Sequence, residues 1–231
     1  MSKEKLIVAL DLSSTDAARN ITERLGDAVD VYKIGYQLAP IGGFDLARTL
    51  IDAGKKVFLD LKYHDIGATV ERGVTSVREL GANFLTVHAE PDVLAGAVAG
   101  RGDDPTLKIL AVTVLTSIDQ AALTRAGIDI AITDLVLRRA EFAAEAGADG
   151  VIASAQEASS IKSRFGADLL VVTPGIRPAG ADQNDQKRVV TPAKAVNNGA
   201  DYLVVGRPIV AADDPVAAAQ SILAEITASR R

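Results

Sequence analysis

Eight short apolar runs punctuate this chain, each followed by a segment whose apolar residues recur at helical spacing. The runs lie at 6–12, 31–37, 56–62, 84–88, 107–114, 149–154, 168–174 and 202–206. The helical segments lie at about 14–26, 40–53, 67–80, 91–101, 132–147, 156–165, 191–198 and 214–228. Strands that read as near-continuous Val, Ile and Leu are buried on both faces, which implies parallel strands covered by helices. Gly26, Gly54, Gly81, Gly147, Gly166 and Gly199 close helical segments, as a left-handed helix stop requires. Gly-Ala-Asp or Gly-Ala-Asn recurs at 81–83, 147–149, 166–168 and 199–201. It marks a repeated helix-to-strand turn and not a solenoid repeat.

Eight such units in 231 residues predict an α/β fold, a (β/α)8 TIM barrel of eight parallel strands with surrounding helices, as a single domain over 1–231. An open doubly wound sheet would carry a G-x-G-x-x-G turn after its first strand. Here that turn is Asp11-Leu12-Ser13-Ser14-Thr15, without glycine. The apolar fraction of 48% supplies a sizeable core, and the absence of cysteine excludes disulfides and thiolate metal ligands. No apolar segment is long enough to span a bilayer. The first residues run directly into a strand without a signal-peptide pattern, so a soluble cytoplasmic protein is the expectation. Net charge is −5 with no basic stripe, so neither nucleic acid nor membrane is an expected partner.

Barrels of this kind place their active sites at the C-terminal ends of the strands. There the chain gathers charge. The third strand ends in Asp60-Leu61-Lys62-Tyr63-His64-Asp65-Ile66-Gly67. Residues i and i+2 of a strand share a face, so Asp60 and Lys62 project side by side. That pairing alone is equally compatible with a salt bridge. Lys33 lies mid-strand in an apolar run, which requires a nearby acid. Asp11 and Asp60 on the adjoining strands are the candidates. Loops after strands seven and eight often bind phosphate in this fold. They carry Gly175 and Arg177, and Gly206 and Arg207, respectively. The polar stretch 178–188 after strand seven reads as a lid.

Taken together, these motifs resemble the orotidine 5′-phosphate decarboxylase family over essentially the whole length. The strongest is Asp60 through Thr69, supported by Ala111 through Ser117, Thr173 through Pro178, Asp185 through Arg188, and Val205-Gly206-Arg207-Pro208. The Asp-x-Lys-x-x-Asp core also occurs in metal-dependent sugar-phosphate relatives, which offer a glutamate on the second strand. Lys33 stands at that position here, so the resemblance implies no metal and no cofactor. It implies conversion of orotidine 5′-phosphate to UMP and CO2 by a homodimer that borrows Asp65, Ile66 and Thr69 across its interface.

In that reading Lys62 stabilises and protonates the C6 carbanion, within an alternating array of Lys33, Asp60, Lys62 and Asp65. Asp11 and Lys33 hold the ribose, and Thr116 reads the pyrimidine edge. Arg177, Gly206 and Arg207 bind phosphate, with Gln186 reaching from the lid. His64 is a rival proton donor, and His88 reads as a packed rim histidine. Two other readings stay open: a magnesium-dependent sugar-phosphate lyase or decarboxylase on the same barrel, and a non-catalytic phosphate-binding barrel.

Overall fold

The computed structural model describes residues 3–178 and 190–229. Eight parallel strands close into a barrel in sequence order. They are β1 (Leu6–Ala9), β2 (Val31–Gly35), β3 (Lys56–Tyr63), β4 (Phe84–His88), β5 (Lys108–Val112), β6 (Gly150–Ile152), β7 (Leu170–Thr173) and β8 (Tyr202–Val205), with β1 pairing β8. The helices are α1 (Thr15–Leu25), α2 (Gly43–Asp52), α3 (Gly67–Leu80), α4 (Pro91–Arg101), α5 (Gln120–Arg125), α6 (Ile132–Ala146), α7 (Ala158–Phe165), α8 (Pro192–Asn197), α9 (Arg207–Val210) and α10 (Pro215–Ala228). None is long and apolar enough to cross a membrane.

The predicted architecture holds, while several strands end earlier than their apolar runs. β1 stops at Ala9 and not at 12, and β6 spans three residues and not six. The extra apolar residues belong to the rim, where pairing stops but burial continues: Leu10 and Val114 are buried beyond their strands. Two helices escaped the apolar pattern. α5 has six residues and α9 four, too short to display a period. α5 did carry an N-terminal signal, because the Asp119 side chain accepts a hydrogen bond from the Ala122 amide at 2.9 Å.

All six helix-closing glycines have positive φ. Gly81 and Gly147 are left-handed stops, as expected. Gly26 and Gly166 depart from that expectation: they combine positive φ with ψ of −124° and −140°, a region essentially restricted to glycine.

Period-two alternation splits the core in two. Ile7, Ala9, Val31, Phe58, Phe84, Leu110, Val172 and Val204 fill the barrel interior. Their sequence neighbours face the helices in a larger outer core. Phe84 packs edge-on against both Phe58 and Tyr202, at centroid distances of 6.0 and 5.2 Å. Two residues further along each of the first four strands, the interior turns polar. Asp11 follows Ala9, Lys33 follows Val31, Asp60 follows Phe58, and Thr86 follows Phe84.

The recurrent Gly-Ala-Asx turn has a physical role at the opposite face. The side chains of Asn83, Asp149 and Asp201 accept hydrogen bonds from the amides of Val57, Ile109 and Val171, at 2.8–2.9 Å. Each turn thereby fastens one strand to the start of the preceding one.

Candidate active site

The polar layer opens into a cavity of about 500 Å³ at the C-terminal ends of the strands. It receives Asp11, Lys33, Asp60, Lys62, Thr116, Arg177, Gly206 and Arg207, all chosen from the sequence. Phe58, Val114, Ile152 and Val204 form apolar parts of its wall.

Lys33 is buried, at 6% exposure, and lies between its expected acids. Its Nζ is 3.0 Å from Asp11 Oδ1 and 3.3 Å from Asp60 Oδ2. Burial pushes the ammonium down, but Asp60 and Asp11 more than offset this and hold its pKa above the ordinary lysine value. Burial likewise pushes the Asp60 carboxyl up, and Lys33 and Lys62, helped by Thr86, bring it below the usual carboxylate range. Lys33 is protonated and Asp60 ionised at neutral pH. Gly35 makes room for the pair, since a Cβ there would lie 3.1 Å from Lys33 Nζ and 3.2 Å from Asp11 Oδ1. Gly35 was not singled out from the sequence, because its role appears only once Lys33 folds over it.

Lys62 Nζ donates to Asp60 Oδ1 at 2.8 Å, so the expected pair forms. It forms through an irregular strand and not through simple alternation. Leu59 pairs with Leu85 but Tyr63 with Val87, so β3 takes four residues where β4 takes two. Among the described residues, Lys62 is the one non-glycine with positive φ, at 45°. That conformation costs about 1–2 kcal/mol, which the surroundings must offset. The Tyr36 ring lies 5.3 Å from Lys62 Nζ, and its hydroxyl donates to the Leu61 carbonyl at 2.8 Å. Neither Tyr36 nor Thr86 was singled out from the sequence, because neither carries charge and both sit within ordinary strand-like context.

Across the barrel, Gly175 has φ of 76°, and the segment after it pairs through an Ile176–Val190 bridge. The Arg177 amide donates to the Val190 carbonyl at 3.0 Å. Burial, and then the like charge of Arg207, lower the Arg177 pKa. Two guanidiniums held within electrostatic reach at one wall suit a multiply charged anion. A Cβ at Gly206 would meet Ala9 only at ordinary contact, so the space there does not demand glycine.

Asp65, Ile66 and Thr69 do not line this cavity. They form an exposed step beside it, with Ile66 at 71% exposure. Asp65 Oδ1 accepts from the Ile66 amide at 2.6 Å, and the Thr69 amide donates to the Ile66 carbonyl at 2.9 Å. The helix beginning there is tightly seated: a Cβ at Gly96 would lie 2.3 Å from the Gly67 carbonyl oxygen. His64 and His88 stack at 4.5 Å beside Glu90, outside the cavity lining. Burial leads in lowering the His88 pKa, with Glu90 opposing it. Gln186, most of the 178–188 stretch and Asp185 through Arg188 lie outside the described residues.

Comparison with known proteins follows the same outline. The model of the Orotidine 5′-phosphate decarboxylase / HUMPS family matches residues 4–222. A protein of Methylorubrum extorquens called orotidine 5′-phosphate decarboxylase is 58% identical over 224 residues, 97% of this chain and 96% of that one. One of Methylobacterium nodulans with the same name is 56% identical, covering 98% of this chain and 97% of its own. The crystal structure of orotidine 5′-phosphate decarboxylase from Lactobacillus acidophilus superposes with a TM-score of 0.84 at 39% identity, covering 96% of this chain and 99% of that one.

Proposed function

The chain belongs to the orotidine 5′-phosphate decarboxylase / HUMPS family, and from that premise we infer that it converts orotidine 5′-phosphate to UMP and CO2 in pyrimidine biosynthesis, with Lys62 as proton donor. The observation that carries the assignment of Lys62 is its ammonium, fixed 2.8 Å from Asp60 in a cavity that also holds Arg177 and Arg207. β3 and β7 lie on opposite sides of the closed barrel. The arginine wall anchors the phosphate at one side, and the reacting ring lies toward the lysine at the other.

When the bond from C6 to the carboxylate breaks, its electron pair stays on C6. A preorganised ammonium beside C6 stabilises charge that develops only in the transition state. Lys62 then transfers a proton from Nζ to C6 and regains one from solvent. Asp60 faces the departing carboxylate and aims Lys62. Asp11 and Lys33 bind the ribose hydroxyls, Thr116 the pyrimidine edge, and Gly206 and Arg207 with Arg177 the phosphate. Gln186 closes over the phosphate from the lid. The reaction needs no metal, a reading supported by Lys33 occupying the space between Asp11 and Asp60 where a cation would otherwise sit.

The working assembly is a cytoplasmic homodimer of single-domain subunits spanning 1–231, each lending Asp65, Ile66 and Thr69 to the other's site. Its support is exposed apolar side chains on the segments that follow β2, β3 and β5: Tyr36, Ile41, Phe44, Ile66 and Leu115 are each at least 38% exposed. A spectrophotometric assay with orotidine 5′-phosphate tests the reaction. Turnover that persists in EDTA is the expected result; loss restored by Mg²⁺ would contradict the metal-free site. Mixing Lys62→Ala and Asp65→Ala subunits tests the shared site, because only mixed dimers regain an intact one. No recovery after subunit exchange would contradict it.

A further inference from the structure

We propose that Thr86 is a positioning residue for the decarboxylation, its hydroxyl clamping the Lys62 backbone and the Asp60 carboxylate in one geometry. Thr86 lies in β4 two residues above Phe84, fully buried, and is not among the residues lining the cavity. It acts through other side chains.

Its hydroxyl makes two bonds. The Lys62 amide donates to Thr86 Oγ1 at 2.9 Å, and Oγ1 lies 2.9 Å from Asp60 Oδ1. The directions are forced. An amide can only donate, and an ionised carboxylate can only accept, so the Thr86 proton points to Asp60. Lys62 Nζ donates to the same oxygen at 2.8 Å, which turns Oδ2 toward Lys33 at 3.3 Å. One hydroxyl thereby sets which carboxylate oxygen faces which lysine.

The second bond explains the irregular strand. Between Leu59 and Tyr63 the regular pairing of β3 with β4 lapses, and Lys62 adopts its left-handed conformation there. The Lys62 amide, turned away from the β-ladder, finds Thr86 instead. A buried amide without a partner is unfavourable, so the bond holds the strand in the conformation that aims Lys62. Strain retained beside a reacting group is intelligible when the position of that group matters more than local stability.

The proposal rests on Lys62 as proton donor, so Thr86→Val, Thr86→Ser and Lys62→Ala are assayed together with orotidine 5′-phosphate. Thr86→Val is expected to lower kcat about 100-fold, the scale of an ångström-sized misplacement, with KM within about threefold of wild type. Its acid limb of kcat is expected to move to higher pH, because Asp60 loses a donor that favours its ionised form. Thr86→Ser keeps the hydroxyl and restores most of the rate. If the valine variant does not fold, Thr86→Ala removes the same hydroxyl without added bulk and carries the same expectation. A folded variant lacking the hydroxyl but with wild-type kcat, or a serine variant as slow as valine, would overturn the proposal. An equal rise in KM would do so too, since that signals a disordered site and not a misplaced lysine. Normal turnover by Lys62→Ala would instead remove the proton-donor reading, and this proposal with it.

Discussion

Two aspartates in this barrel each hold two cations, and they sit at opposite ends of the sheet. Asp60, at the C-terminal end of β3, binds Lys33 at 3.3 Å and Lys62 at 2.8 Å. Asp149, just before β6, binds Arg101 and Lys108 at 2.6 and 3.0 Å. Their side chains are equally buried, at 17% and 15% exposure, so burial does not separate them. What separates them is the rest of their bonding. Asp149 also accepts the Ile109 amide, and Asn83 and Asp201 repeat that bond on other strands. Asp149 fastens backbone as well as side chains. Arg101 and Lys108 line a cleft of their own, so facing open space does not separate the two acids; Asp60 instead bonds the Lys33, Lys62 and Thr86 side chains, next to a strained residue and a lapse in strand pairing. An acid that fastens backbone reads as structural, and one that orients charged side chains beside a strained residue reads as functional.

The comparison can be broken in several places. The largest expected effect is at the top: Lys62→Ala lowers kcat at least about 10,000-fold, the combined scale of lost proton transfer and lost electrostatic stabilisation. Steady-state assay beside a melting curve checks that the folded protein is what has lost activity. Next, Arg207→Ala lowers kcat/KM about 100-fold or more through lost charge-assisted bonds to phosphate, and added inorganic phosphate inhibits it less than wild type. At the bottom, Asp201→Ala costs about 2 kcal/mol in urea unfolding, because the Val171 amide and Lys162 lose their shared acceptor, while kcat is retained. A catalytic defect in that variant would erase the distinction between the two faces.

The smallest effect is on the pH dependence of stability. The folded-state pKa of Asp60 is depressed, so its contribution is full above the ordinary carboxylate value, about 3.9, and fades as pH falls through the folded value. That of Lys33 is raised, so its contribution is present below about 10.4 and fades as pH rises through the folded value. Unfolding across acid pH should therefore be flatter for Asp60→Asn than for wild type. Parallel curves would mean that Asp60 is not held ionised by its neighbours.

Most of the barrel was legible because burial of parallel strands on both faces leaves a plain trace: continuous apolar runs separated by helical spacing and glycine stops. The residues converging on the cavity were legible for a related reason. A lysine inside an apolar strand demands acids next door, and Asp11 and Asp60 supplied them. What was not legible depends on contacts between strands. Thr86 is an unremarkable threonine until the lapse in β3 brings the Lys62 amide to it. Gly35 matters only once Lys33 folds over it. The placement of Asp65 beside its own subunit's cavity was expected from the family resemblance and not from periodicity; it follows from the turn after β3 and the close seating of α3 on α4.

The most direct test sets Asp60→Asn beside Asp149→Asn and measures kcat with orotidine 5′-phosphate and Tm for each. The account predicts that Asp60→Asn loses about 100-fold or more in kcat, and that Asp149→Asn keeps its kcat while losing more Tm than Asp60→Asn. Near-wild-type turnover by Asp60→Asn, or an equal loss of turnover by Asp149→Asn, would contradict the division of the barrel into a catalytic and a structural face.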